Sequence, residues 1–589
     1  MTMSTYQRVR SFIALSGSLV LALAVVSYAT HASGPDSRNA PKFYDDDPLM
    51  RASDTQDASK VQPRPISLML DAAINLFGDP GLRDVGRAES VNTIDEVPDS
   101  NWFTNRVGTR PVTPDEMYRG PSEDVGPAPG KWTVSRKANG VSPGFTITDE
   151  RNKRYFVKFD PPGFPELGTG AEAVVTRLFH ALGYHVPQAT VGTLRRDNLV
   201  IGRDATVRMP NGGVRKMRMS DIDDQLRRAE RNPDGSYRVI FAEGLPGKSL
   251  EGFKYEGTRS DDPNDVVPHE NRRELRGLRV FSAWVNHTDA KAINSLDTLI
   301  TENGRAVVRH HLIDFNATLG SAGIGPRERR DGYEYLAETT PTFKALPAFG
   351  FYIRPWLNIH YPTYRGIGRF EAKRFVPEEW RPRVPNPAYV RSRADDTFWA
   401  ARKLMAMSDE LIRAAVKAGH YTDPRSEDFL VGALIERREK IGRAWLTSVN
   451  PIVDPALSED GVLTFRNIAV DLQFAPAPPG YQVTWFRFDN VTGDSTATGE
   501  STITETRATA PADALARVRA DTTLPGGRGQ FVRVDISVTG GTFASWASPV
   551  RVYFRRAQDS WRLVGFDRMP DAPLMRPGVV GAEPQESGK

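Results

Sequence analysis

The sequence predicts an α+β chain in two parts: a mixed region of short strands and amphipathic helices to about residue 450, then an all-β, sandwich-like unit over 451–575. Three observations carry this reading. β-type residues at 145–148 and 155–159 flank a polar turn, which is a hairpin signal. Apolar residues recur at helical spacing over 170–182, 270–285 and 397–446. After Pro451 the composition shifts to Thr, Val, Gly and Pro, and short strand runs follow at 463–465, 481–488, 531–538 and 550–554.

From the N-terminus, residues 1–32 read as a secretory signal, with Arg8 and Arg10 ahead of the apolar run 12–26 and Thr30 and Ala32 at the cleavage positions. That run is near the lower length limit for a spanning helix, so an uncleaved membrane anchor is the alternative. Either reading places the remainder outside the cytoplasm, periplasmic or secreted. The chain has no cysteine, which excludes disulfides, thiolate metal sites and cysteine nucleophiles. Lys and Arg total 77 against 73 Asp and Glu, and this +4 is spread without a long basic run. A dedicated nucleic-acid binder is therefore not expected.

Residues 33–95 read as a tether and a short helix. The stretch to Pro63 is polar and carries Asp45, Asp46 and Asp47, whereas 66–77 repeats apolar residues at helical spacing and stops at Gly78. At 589 residues the chain exceeds what one core supports, so 96–450 is taken as a first folded domain. Within it, Ala171, Val174, Val175, Leu178, Phe179 and Leu182 form one helical face, ending at Gly183 with Pro187 beyond. Further strands are expected at 199–201 and 237–242, around a charged insertion at 215–231.

The chemistry concentrates in Asp289, Lys291 and Asn294, a helix-to-strand loop, and in Asp314, reached through Leu312-Ile313 and followed by Phe315-Asn316. Phosphoryl transfer from ATP needs such parts: a carboxylate for the nucleophile, a lysine for the migrating charge, and Asn and Asp oxygens for Mg2+. His287-Thr-Asp289-Ala-Lys291-Ala-Ile-Asn294 resembles the catalytic loop of the protein-kinase-like superfamily, with Asp314-Phe-Asn in place of Asp-Phe-Gly. The resemblance implies a two-lobed kinase-like domain in which Asp289 is the catalytic base, Lys291 stabilises phosphate, and Asn294 and Asp314 bind magnesium. By the same resemblance Lys158, in Tyr155-Phe-Val-Lys158-Phe, grips the nucleotide phosphates, and Glu172 positions it. Gly140-Val-Ser142-Pro-Gly144 resembles the Gly-x-x-Pro-Lys loop of HipA-like kinases, which implies nucleotide contacts from Ser142 and Gly144, although Gly144 stands at the lysine position. Phe241-Ala-Glu-Gly244 is the candidate adenine hinge.

The resemblance spans 131–320, about a third of the chain. There is no Gly-x-Gly-x-x-Gly loop and no Ala-Pro-Glu, so an atypical HipA-like or secreted-kinase-like member is implied over a eukaryotic-type one. The partners implied are a nucleotide and an acceptor hydroxyl on a protein, peptide or carbohydrate. Other readings stand beside this one. Asp289 alone fits a turn, Lys158 alone fits a solvated strand edge, and Glu166 rivals Glu172 as the partner of Lys158. His287 with His310 and His311 is a metal-site rival that matches no helical signature. The aromatic stretch 349–364 fits packing or substrate contact. A catalytically inactive, kinase-fold binding or envelope scaffold protein uses the same fold without turnover.

Overall fold

Alternating residues between Trp132 and Phe159 fold as three antiparallel strands, β1 (Trp132–Lys137), β2 (Gly144–Thr148) and β3 (Arg154–Phe159). This computed structural model describes residues 41–78, 85–137, 142–209, 213–336, 354–516 and 529–570. The export signal, Gly140, Val141 and the first part of the aromatic stretch, 349–353, lie outside the described residues.

Helix α1 (Leu68–Phe77) stops at Gly78 as the sequence reading expects, and a second short helix, α2 (Pro114–Arg119), is closed by a Thr113–Glu116 capping box. Helix α3 (Leu167–Leu182) follows β3. Then come β4 (Ala189–Leu194), β5 (Leu199–Arg208), β6 (Val214–Lys216), helix α4 (Met219–Arg227) and β7 (Tyr237–Glu243). The seven strands form one sheet in the order β4-β7-β3-β2-β1-β5-β6. The Lys158 strand thus lies mid-sheet, paired with β2 and β7. The charged insertion contains helix α4, whose Ile222 and Leu226, one turn apart, are buried in the same cluster as Val134, Ile147 and Val157.

Beyond the sheet, β8 (Lys248–Ser249) precedes helix α5 (Arg273–Val285), and β8 pairs with the hairpin β9 (Ser295–Glu302) and β10 (Arg305–Leu312). A two-residue pair, β11 (Ser321–Ala322) and β12 (Gly325–Pro326), follows. The helical periodicity at 397–446 resolves into α7 (Ala394–Met405), α8 (Asp409–Lys417) and α9 (Pro424–Trp445), preceded by the short α6 (Pro387–Val390). The breaks fall at Ser408 and Asp423, whose side chains cap α8 and α9. Helices α3, α5, α7, α8 and α9 share one apolar core around Phe179, Phe281, Trp284, Trp399 and Leu434.

After Asn450 the chain forms a three-stranded and a five-stranded antiparallel sheet. Strands β13 (Ile452–Leu457), β14 (Val462–Asn467) and β17 (Arg507–Thr509) make the first; β15 (Gly480–Phe488), β16 (Ser495–Ile503), β18 (Phe531–Thr539), β19 (Val550–Ala557) and β20 (Ser560–Asp567) make the second. Both sheets contribute to one apolar cluster that includes Leu463, Phe465, Trp485, Val534 and Phe554. The stretch read as a tether is, from Lys42, laid first against this unit and then against the region before it. Phe43 is buried against Phe488, Phe531 and Tyr553, and Ala58 and Val61 are buried beside Leu250 and Val308. Among the described residues no helix is long and apolar enough to cross a membrane.

Candidate functional site

Strand alternation puts Tyr155, Val157 and Phe159 into the sheet's core and turns Lys158 to the opposite side. Its Nζ there donates to Glu172 Oε1 at 3.1 Å and Oε2 at 2.9 Å and to Asp314 Oδ1 at 2.8 Å. All three ammonium protons are used. Burial works against the Lys158 cation, but Asp314 and Glu172 outweigh it and hold the pKa above the ordinary lysine value. Glu172, with its side chain 2% exposed, is pushed up by burial against the pull of Lys158, with Asp314 adding to the rise. The rival carboxylate, Glu166, turns away and accepts from the Thr422 hydroxyl at 2.6 Å.

Asp314 stands in the left-handed region at φ 64°, two residues past β10. Two contacts fix that turn: Ile313 N–H donates to Asn294 O at 3.0 Å, and Phe315 packs between Phe179 and His287 at ring separations of 4.9 and 5.6 Å.

The other half of the site follows α5, which ends at Asn286, also left-handed at φ 54°. Asn286 Oδ1 accepts from the Trp380 indole at 2.9 Å, and His287 N–H returns to Ser282 O at 2.8 Å, so the loop leaves the helix on a fixed path. Asp289 Oδ1 lies 2.8 Å from Lys291 Nζ. Asn294 Nδ2 donates to Asp289 Oδ2 at 3.0 Å and to Asp289 O at 2.7 Å. Burial disfavours the Asp289 carboxylate, yet Lys291 and Arg327 outweigh it and keep its pKa below the usual range. With its amide protons committed to Asp289, Asn294 has Oδ1 to offer a further ligand.

The structure therefore gathers Lys158, Glu172 and Asp314 into one bonded group and Asp289, Lys291 and Asn294 into another, the two joined through the Ile313 N–H bond to Asn294 O. Ser142 joins from the sheet side, its Oγ accepting from Asn316 Nδ2 at 3.1 Å. Gly144 departs from the loop expectation: it is the first residue of β2, opposite Lys158, and its N–H is directed at Gln225 Oε1 at 3.4 Å. The histidines do not form one group. His287 is buried beside Phe179 and Phe315, whereas His310 bonds Asp297 at 2.7 Å and stacks on Trp102. Among the described residues no three His, Asp or Glu side chains converge as a metal cluster. Asp314 and Asn294 carry the oxygen donors that a hard divalent cation such as Mg2+ takes, a cation commonly bound through one or two protein oxygens together with phosphates and water.

Two residues of this region escape sequence reasoning. Asp160 Oδ1 accepts from the N–H groups of Gly168 and Thr169 at 2.8 and 2.9 Å, and Oδ2 accepts from Glu166 N–H and the Thr169 hydroxyl at 2.9 and 2.7 Å, which anchors the start of α3. Arg327 is 4% exposed and donates to Ala317 O at 2.9 Å, which brings its charge close to Asp289. Neither sits in a local motif.

No family model and no curated protein matches the chain. Among solved structures, it is similar to a Helicobacter pylori proinflammatory kinase, CtkA, at 10% identity and a TM-score of 0.26, covering 51% of this chain and 92% of that one. It is also similar to the Golgi casein kinase, at 12% identity and a TM-score of 0.25 over 68% of this chain and 97% of that one. The same enzyme with Mn/ADP bound gives 8% identity and a TM-score of 0.23 over the same shares. At these scores the likeness decides nothing about the chemistry of this chain.

Proposed function

We propose that this protein is an atypical, two-lobed kinase-like phosphotransferase, moving a phosphoryl group from a magnesium nucleotide to a hydroxyl on a protein, peptide or carbohydrate. The observation that supports this reading is the double clamp. Lys158 is held by a buried carboxylate on α3 and by Asp314, while Asp289 is held by the asparagine and lysine of its own loop. In this reading the sheet with α3 is one lobe, the α5–α9 helices are the other, and the C-terminal sheets form an appended sandwich. Asp314 and Asn294 Oδ1 hold Mg2+, which when bound neutralises phosphate charge. Lys158 exchanges its contact with Asp314 for nucleotide phosphate while Glu172 keeps it in place. Asp289, ionised and oriented by Asn294, accepts the proton of the acceptor hydroxyl, and Lys291 faces the charge in transfer. We place this work in the periplasm or exterior because residues 1–32 read as an export signal.

A second reading, a nucleotide-binding scaffold without turnover, is favoured by Gly144, which brings no lysine to the phosphates and has its N–H engaged within the fold. Magnesium-dependent ATP hydrolysis and autophosphorylation by the mature chain separate the two. Asp314→Ala is expected to weaken magnesium-nucleotide binding and to abolish transfer. Nucleotide binding with no turnover in the unsubstituted protein selects the scaffold.

A further inference from the structure

A cleft of about 550 Å³ separates the end of α7 from the first strands of the C-terminal unit, and the 96–109 segment forms its third wall. Sites for small molecules commonly have this size and lie between structural units. Lys403, 6% exposed, lines it. Its Nζ donates to Asn105 Oδ1 at 2.7 Å and Thr109 Oγ1 at 2.8 Å, both neutral oxygens. An ammonium has three protons, so one donor remains.

The other cations on the wall are bonded to carboxylates. Arg402 is bonded to Glu96, and Arg466 lies 2.8 Å from Asp471 and 3.2 Å from Asp454. Asp99, the carboxylate whose field Lys403 feels, is engaged by Asn105, accepting its backbone and amide N–H groups at 2.7 and 2.9 Å. Among the described residues no carboxylate is bonded to the Lys403 ammonium, and a buried ammonium without a direct counter-ion is costly. The remaining wall includes Val97, Met405, Val453 and Leu472.

We propose that this cleft binds a small organic monoanion with an apolar body, its carboxylate on Lys403 and its hydrocarbon against Met405, Val453 and Leu472. The site is independent of the proposed phosphotransfer, since none of the residues around Asp289 or Lys158 lines it. Burial, reinforced by Arg402 and opposed by Asp99, pulls the Lys403 amine down to about 8. The bare site therefore loses its charge just above neutral pH.

Octanoate and octanol, equal in length and differing in charge, test this on the full chain by calorimetry and thermal shift. At pH 7 octanoate is expected to bind at least about ten-fold more tightly than octanol, and the gap is expected to shrink at pH 9.5. Lys403→Met keeps the bulk of the side chain, removes the charge and is expected to erase the preference while leaving the circular dichroism unchanged. Equal binding of acid and alcohol, binding of neither at millimolar concentration, or a preference that survives Lys403→Met each overturns the proposal. Should the variant fail to fold, the acid-to-alcohol comparison and its pH dependence on the unsubstituted protein still decide.

Discussion

Asp289 and Asp314 are the two aspartates of the candidate site, and their surroundings already separate them. Asp314 is half-exposed and bonded to the Lys158 ammonium, whereas Asp289 is held by Lys291 and the Asn294 amide on the side of the α5 loop. Asp289→Ala touches none of the Lys158 contacts and, if the proposed phosphotransfer holds, removes the group that orients the attacking hydroxyl. In the phosphotransferase reading its turnover is expected to fall roughly 10²–10⁴-fold with nucleotide affinity little changed. Undiminished phosphotransfer by this variant, measured beside a nucleotide-binding isotherm, sinks the base assignment. These residues were legible because their chemistry recurs at short fixed spacing, two residues from Asp289 to Lys291 and five to Asn294. Arg327 was not legible, because an isolated arginine acquires its meaning only when the chain after Asp314 folds back and buries it next to Asp289.

At the scale of elements, α3 connects folding to the site, since it carries Glu172 in its second turn. The sequence suggests a start near residue 170 because the apolar helical face begins at Ala171. The helix starts at Leu167 instead, as Asp160 gathers the unpaired N–H groups of its first turn. A carboxylate seven residues ahead of the helix cannot be recognised as its anchor until the 161–166 turn brings it round. Asp160→Ala is expected to cost about 1–2 kcal/mol, the range for a lost helix cap, and, in the phosphotransferase reading, to weaken nucleotide binding by loosening Glu172. Asp160→Asn, which keeps an acceptor, is expected to be milder. Thermal unfolding of the pair checks this, and an Asp160→Ala protein as stable as its parent contradicts the anchoring role. The α4 insertion was missed for the opposite reason: five of its nine residues are charged or amide side chains, and they mask the Ile222–Leu226 stripe that meets the sheet.

At the scale of the whole molecule, buried side chains far apart in sequence tie the parts together. The fully buried Arg273 of α5 bonds Asp95 at 2.7 Å, Asp395 at 3.1 Å and Asp396 at 3.0 Å, and Arg568, just past β20, donates to Ile452 O at 3.1 Å. Phe43 meets partners more than 440 residues away, which no local window of composition can foresee; a polar stretch with one phenylalanine therefore reads as a tether. The same burial sets the response to acid. His287 and His311, 4% and 3% exposed, have their pKa values lowered to about 4 by burial, with Asp289 opposing at His287 and the Leu296 carbonyl opposing at His311. In the unfolded chain each titrates near the ordinary value of about 6.5. Between these values the unfolded state binds protons that the folded state refuses, so stability falls as pH drops from about 6.5 to 4 and is insensitive to these two groups above that window. At pH 5 the loss is about 2 kcal/mol per histidine. Melting temperatures recorded from pH 7 to 4.5 at constant ionic strength should fall steadily below 6.5, and His311→Asn should flatten the slope; a melting temperature unchanged over that range would falsify the neutral, buried state assigned to both rings.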